Sequence, residues 1–253
     1  MTVGVTENRR ARLLEYVPWM ARDYMSNQGP ATAIVALLFG ILTIAPLMQG
    51  PLTQLGRIPQ DAATRTLSLL MTPIVFIGVL FATNGIVSND RKLGYYRFLF
   101  AKPVGPPAYY ATTFLVNGLG FVMVCVALLA LWSATVRPMF PLAVLLVVLI
   151  MYVAYGGVGF LLSAAWRFDW LSLVTVLFLA NVGWSVWGTA EGLRHWVLYL
   201  LPPVHRANDV YSLVARDASQ PVPWRSIIWL AGYGMMCFIA GLIVIRRRPL
   251  GTS

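Results

Sequence analysis

The sequence predicts an all-α integral membrane protein, and three observations predict it. Hydrophobic residues fill 58% of the 253 positions and charged residues only 11%, whereas a soluble domain carries about 25% charged residues. Mean hydropathy is correspondingly high, at +0.72. The apolar residues gather in runs of about 20, the length a helix needs to cross about 30 Å of hydrocarbon. The cations fall between those runs rather than within them.

Six runs qualify as spans of one transmembrane domain covering residues 1–253: Ala31–Gly50, Leu67–Val87, Ala111–Val136, Leu142–Ala165, Trp170–Ala190 and Ile227–Ile245. The last stops at Arg246, Arg247 and Arg248. The 30 residues before the first span contain Arg9, Arg10, Arg12, Glu15, Arg22 and Asp23. That leader is too long and polar for the n-region of a cleaved signal peptide, so it is expected to be retained.

Six spans place both termini on one side. That side collects the four leader arginines, four cations of the Asn89–Tyr110 segment, Arg167 and the three terminal arginines. The other side holds Arg57, Arg65, Arg137, Arg194, Arg206, Arg216 and Arg225. The bias puts both termini in the cytoplasm of a multi-pass protein of the cell inner (plasma) membrane. The net charge of +10 is then a topology signal and a contact with membrane lipids. No soluble basic segment exists to carry a nucleic-acid site.

Within the leader, Arg9–Met25 interleaves Leu13, Leu14, Val17, Trp19 and Met20 with Arg and acids. This pattern predicts an amphipathic interfacial helix, anchored by Trp19 and Tyr24 and kinked or split at Pro18. The connection between the fifth and sixth spans, residues 191–224, is the longest. Leu193–Leu201 and Ala207–Val214 read as short helices, with Pro202–Pro203 between them and Asn208 or Asp209 as a cap of the second. Neither can span, which predicts a re-entrant or surface helical hairpin on the outer face.

The absences narrow the chemistry. The two lysines, Lys92 and Lys102, do not follow glycine, so no Walker A phosphate loop is present. Gly156, Gly157 and Gly159 lie inside a span with no strand before them and read as helix-packing positions. No span interior carries Asp, Glu, Lys, Arg or His, although ion-coupled carriers generally need ionisable groups at membrane depth. What remains inside is neutral: Asn84, Asn117, Asn181 and Ser185, suited to interhelical hydrogen bonds. His195 and His205 sit in the outer connection without a Cys or carboxylate pattern to complete a metal site. Cys125 and Cys237 fall mid-span, as buried free thiols. Trp184 and Trp187, three residues apart near Asn181, either line a substrate path or belong to the outer aromatic belt.

The most unusual stretch is "NDRKLGYYRFLFAKPVGPPAYY", Asn89–Tyr110, a polar and aromatic insert between two oily runs. Ser88, Asn89 and Asp90 offer a helix start, Arg91–Lys102 has helical length, and Pro103 ends it. No clean apolar stripe emerges. Exposed Tyr, Phe and Arg suit a protein-docking surface; a helix lying flat on lipid headgroups is the other reading.

Six spans in about 250 residues, an amphipathic leader and a "DRKxGxYRFLFAKPV…YY" block after the second span resemble the membrane (permease) subunit of an ATP-binding-cassette transporter of the ABC-2 type. The resemblance covers nearly the whole layout, and Asp90–Val104 with Tyr109–Tyr110 is its most specific part. It implies that the segment between spans two and three is a coupling helix docking into a separate ATPase subunit, with Arg91, Gly94, Tyr95, Arg97 and Phe98 at the contact. It further implies two copies of that ATPase, with ATP and Mg bound there and no cofactor in this chain. A second permease chain, as homodimer or heterodimer, would complete an exporter that is not itself an enzyme. Asn84, Asn181, Trp184 and Trp187 are the residues expected along the substrate path. Two other readings stay open: a membrane scaffold or assembly factor whose insert binds another cytoplasmic protein, and a membrane-embedded enzyme or cofactor-handling protein using His195 and His205.

Overall fold

The computed structural model describes residues 15–49, 60–93, 105–136, 141–166, 169–188, 198–215 and 221–247, which contain helices and turns but no strand. Helix α1 (residues 15–23) continues through a π turn, Tyr24–Gln28, into α2 (Gly29–Gln49). Then follow α3 (Gln60–Thr83), the short α4 (Ser88–Leu93), α5 (Pro106–Thr135), α6 (Pro141–Ala165) and α7 (Asp169–Trp187). The short α8 (Ala207–Tyr211), flanked by 3-10 turns, precedes α9 (Trp224–Arg247).

Five helical stretches are long and apolar enough to cross a membrane: Glu15–Leu42, Thr64–Asp90, Pro106–Thr135, Leu142–Ala165 and Trp224–Arg247. The apolar stretch of α7, Leu171–Trp187, is shorter. The molecule is therefore a multi-pass membrane protein with five such helices among the described residues, where the sequence suggests six spans. Its surface agrees. Leu115, Leu119 and Met123 form an i, i+4, i+8 stripe along α5 and are 62%, 67% and 66% exposed, an outward apolar face that suits lipid and not water.

Helix α6 lies at the centre, buried among α3, α5, α7 and α9. Lipid tails are as apolar as Leu, so helices in a membrane associate through close packing more than through hydrophobic transfer. The closest approach is between α6 and α9. A Cβ on Gly157 would strike the backbone of Gly234, and one on Gly234 would strike the backbone of Val153 and Ala154. Reading Gly157 as a packing position is thus borne out. An aromatic cluster joins α5, α6 and α9: Phe114 packs against Phe238 at 4.6 Å and Tyr152 at 4.9 Å between ring centroids, and Phe238 against Phe160 at 4.9 Å. Each such pair contributes about 0.5–1.5 kcal/mol beyond area. The Tyr152 hydroxyl donates to the Phe114 carbonyl at 2.6 Å, in space left by the missing side chain of Gly118.

Three boundaries differ from the sequence reading. The second apolar stretch reaches Val87 as expected and runs on to Asp90, but its regular helix α3 ends at Thr83 and residues 84–87 form a turn within it. Gly85 sits there at φ +77, a left-handed conformation costly for residues with a Cβ. The third span was expected to start at Ala111. It starts at Pro106, with Gly105 as N-cap and two prolines in the first turn, where a missing N–H costs nothing. Tyr109 and Tyr110 therefore belong to the first turns of a span and are buried, at 5% and 0% exposure. Third, the described end of the leader is neither split at Pro18 nor separate from the first span. The helix carries through Pro18 and into α2, and Met20 and Tyr24, four residues apart, bury on one face. Tyr24 lies where a side chain on Gly120 of α5 would stand.

Candidate functional site

The end of the bundle that carries α4 (Ser88–Leu93) and the start of α5 is here the insert end, and the opposite end the far end. At the insert end, α1, the turn after α3 and the start of α5 enclose a crevice of about 590 Å³. Its walls follow from local structure. Residues 15–28 stay helical and present Trp19 and Asp23; the Gly85 turn brings Asn84 and Asp90 round; the early start of α5 adds Tyr109, with Asn117 two turns deeper.

The turn itself is fixed from behind. The Val87 N–H donates to the Ser163 hydroxyl of α6 at 3.3 Å, both residues being fully buried. The Asn117 amide donates to the Ala82 carbonyl at 2.8 Å. Ala82 lies in the last turn of α3, where carbonyls lack an intrahelical partner, so Asn117 supplies one. The Tyr110 side chain meets the Asp90 carboxylate, and Asp23 lies close enough for the two acids to feel each other's charge. Asp23 also accepts from the Asn27 amide at 2.8 Å. Tyr109 stacks edge-on with Tyr16 of α1 at 6.1 Å. At the two ends of the insert, Ser88, Tyr109 and Tyr110 are thus buried in the bundle, while Asn89 is exposed and Asp90 half-buried.

At the far end, residues 198–215 form a cap instead of a solvated loop. Leu198, Val210, Tyr211, Leu213 and Val214 are buried. The Ser226 hydroxyl donates to Asp209 Oδ2 at 2.7 Å, the Ser68 hydroxyl to the Tyr211 carbonyl at 3.2 Å, and the Tyr233 hydroxyl to the Leu200 carbonyl at 2.7 Å. The short helix Ala207–Tyr211 and the break at Pro202–Pro203 match the expected pattern, but the N-cap is Arg206, without a side-chain cap bond. Residues 191–197, with most of the first expected helix and His195, lie outside the described residues. Trp184 packs on the His205 ring at 3.9 Å and on Tyr199 at 6.0 Å. Arg206 Nε donates to His205 Nε2 at 3.2 Å, so His205 serves as a neutral acceptor. Desolvation first, and the Arg206 charge second, hold its pKa below the ordinary 6.5.

The four residues expected along a path are not brought together. Asn84 lines the crevice at the insert end, while Trp184 joins the cap at the far end; Asn181 and Trp187 are exposed on α7. Of the expected docking residues, Arg91 lies on α4, and Gly94, Tyr95, Arg97 and Phe98 lie outside the described residues. No group of three or more potential metal ligands occurs among the described residues. The sequence reading missed Asp23, Trp19 and Tyr109 as parts of one site. The signal for Tyr109 was present in Gly105–Pro106–Pro107, a helix start that moves it from the insert into the span. Nothing local tells that α1 folds back over that start.

Compared with family models, curated proteins and solved structures, the chain matches none.

Proposed function

We propose that the chain is the permease subunit of an ATP-driven transporter of the ABC-2 type, in which the insert receives the stroke of a separate ATPase. In this reading α7, 19 residues and about 28 Å long, also crosses the membrane, as the fifth of six spans. Both termini and the insert face the cytoplasm of the inner (plasma) membrane, a second permease chain completes the path, and ATP and Mg stay in the partner. Export is the direction usual for such a layout.

The observation that carries the reading is the block Asp90–Val104, dense in Tyr, Phe, Arg and Lys, combined with the way its ends are seated. A docking helix transmits motion only if its ends are fixed to the elements that must move. Here one end is bonded to α6 through Val87 and Ser163, and the other begins as the buried first turns of α5. A push on the insert would reach α3, α5 and α6 together.

Copurification from the native membrane tests the reading. A stoichiometric soluble partner with Walker A and B motifs supports it. A partner without them would favour a scaffold, and the transporter reading would be abandoned.

A further inference from the structure

The crevice at the insert end has a chemistry opposed to that of the rest of the chain. The protein carries a net charge of +10, yet among the described residues no Lys or Arg lines the crevice, while Asp23 and Asp90 both do. Trp19, Phe81 and Tyr109 supply aromatic walls. Carboxylates beside aromatic faces are what an organic cation binds: the charge pairs with the acid, and the ring quadrupole adds to it. A bare divalent cation takes six or more oxygen donors, carboxylates foremost, and no group of three or more His, Cys, Asp or Glu occurs among the described residues.

Gln28 supplies an independent sign of a ligand. It lines the crevice. Its Oε1 is a buried acceptor with no hydrogen-bond partner among the described residues. An acceptor withdrawn from water without a donor costs free energy, and a ligand N–H would recover it. That requirement separates a protonated amine from a quaternary ammonium. The volume, about 590 Å³, lies in the range of small-molecule sites.

We propose that this crevice binds a protonated organic amine carried on an apolar or aromatic body, its ammonium between Asp90 and Asp23 and one N–H directed at Gln28 Oε1. The assignment of this amine as transported cargo rests on the permease reading; its binding does not. The ammonium has two possible sources, a soluble amine or the headgroup of phosphatidylethanolamine, and the experiment separates them.

The test uses the full chain in phosphatidylcholine nanodiscs, with radiolabelled phenylbutylamine as probe and phenylbutyrate and phenylbutyl-trimethylammonium as competitors. Saturable amine binding is expected, with both competitors weaker by about tenfold or more, a loss of about 1.4 kcal/mol. Asp90→Asn is expected to weaken binding about tenfold. Trp19→Ala, at a residue 56% exposed and so harmless to packing, is expected to weaken it severalfold. Phosphatidylethanolamine added to the disc either competes with the probe, assigning the site to the headgroup, or does not, assigning it to a soluble amine. Equal binding of amine and carboxylate, non-saturable uptake, or unchanged affinity in both variants would overturn the proposal. Because the measurement needs no ATPase, failure to find an ATPase partner would remove the transporter reading and leave this result standing.

Discussion

The side-chain amide of Asn117 on α5 donates to the carbonyl of Ala82 on α3 at 2.8 Å. This one bond ties together the two spans that bracket the insert and satisfies a carbonyl at a helix end. Removing the amide leaves that carbonyl buried and unpaired. Asn117→Ala is expected to destabilise the protein by about 1 kcal/mol, read as a lowered melting temperature in detergent. Asn84→Ala, which changes only the crevice wall, is expected to leave it nearly unchanged. Equal melting of the two variants would remove the structural role assigned to Asn117.

Ser163→Ala tests the other root of the insert. The Val87 N–H loses its acceptor at a fully buried position, a cost of about 1–3 kcal/mol. Ser163→Thr keeps the hydroxyl and is expected to retain part of the bond. If the alanine variant melts with the wild type, the turn is held by other means.

Two glycines make a paired prediction about packing. Gly157 faces the backbone of Gly234, which cannot rotate away, whereas Gly40 has nothing within 4 Å of its absent Cβ and opens on an apolar groove of about 490 Å³. Gly157→Leu is expected to cost about 3 kcal/mol or more and to lower yield from the membrane. Gly40→Leu is expected to be neutral. Similar losses at both positions would mean that α6 and α9 do not pack as described.

The far-end cap is expected to loosen in mild acid. Burial and Arg206 lower the pKa of His205 in the folded chain, so the unfolded chain takes up the proton first as pH falls. Stability from this group is then full above about pH 6.5 and declines as pH drops through the interval below it. Melting between about pH 7.5 and about 5.5 is expected to fall more for wild type than for His205→Gln. Parallel curves would show that His205 is not linked to the cap.

How much of this was legible in the sequence differs by element. The apolar runs found the long helices, because membrane length is written as uninterrupted apolar residues. Their ends were less legible, since local chemistry decided them: Gly85 cut α3 four residues short of the apolar limit, and Pro106–Pro107 began α5 early. Asn117 was marked as an interhelical hydrogen-bond residue, and Asn84 as part of a site. The partner of the first and the neighbours of the second depend on helices far apart in sequence, which no local pattern encodes. Tyr24 against Gly120 is of the same kind: two ordinary residues until the fold superimposes them.

Association with an ATPase is the most direct test of the central claim. Wild-type chain, Arg97→Glu and Tyr95→Ala would be purified from the native membrane under identical conditions, and the copurifying ATPase quantified by mass and by ATP hydrolysis. The account predicts one Walker-motif ATPase per wild-type permease, and its loss by about tenfold or more in Arg97→Glu, where charge reversal strikes an interface hot-spot residue type, with membrane insertion intact. Undiminished copurification and hydrolysis in both variants would contradict it.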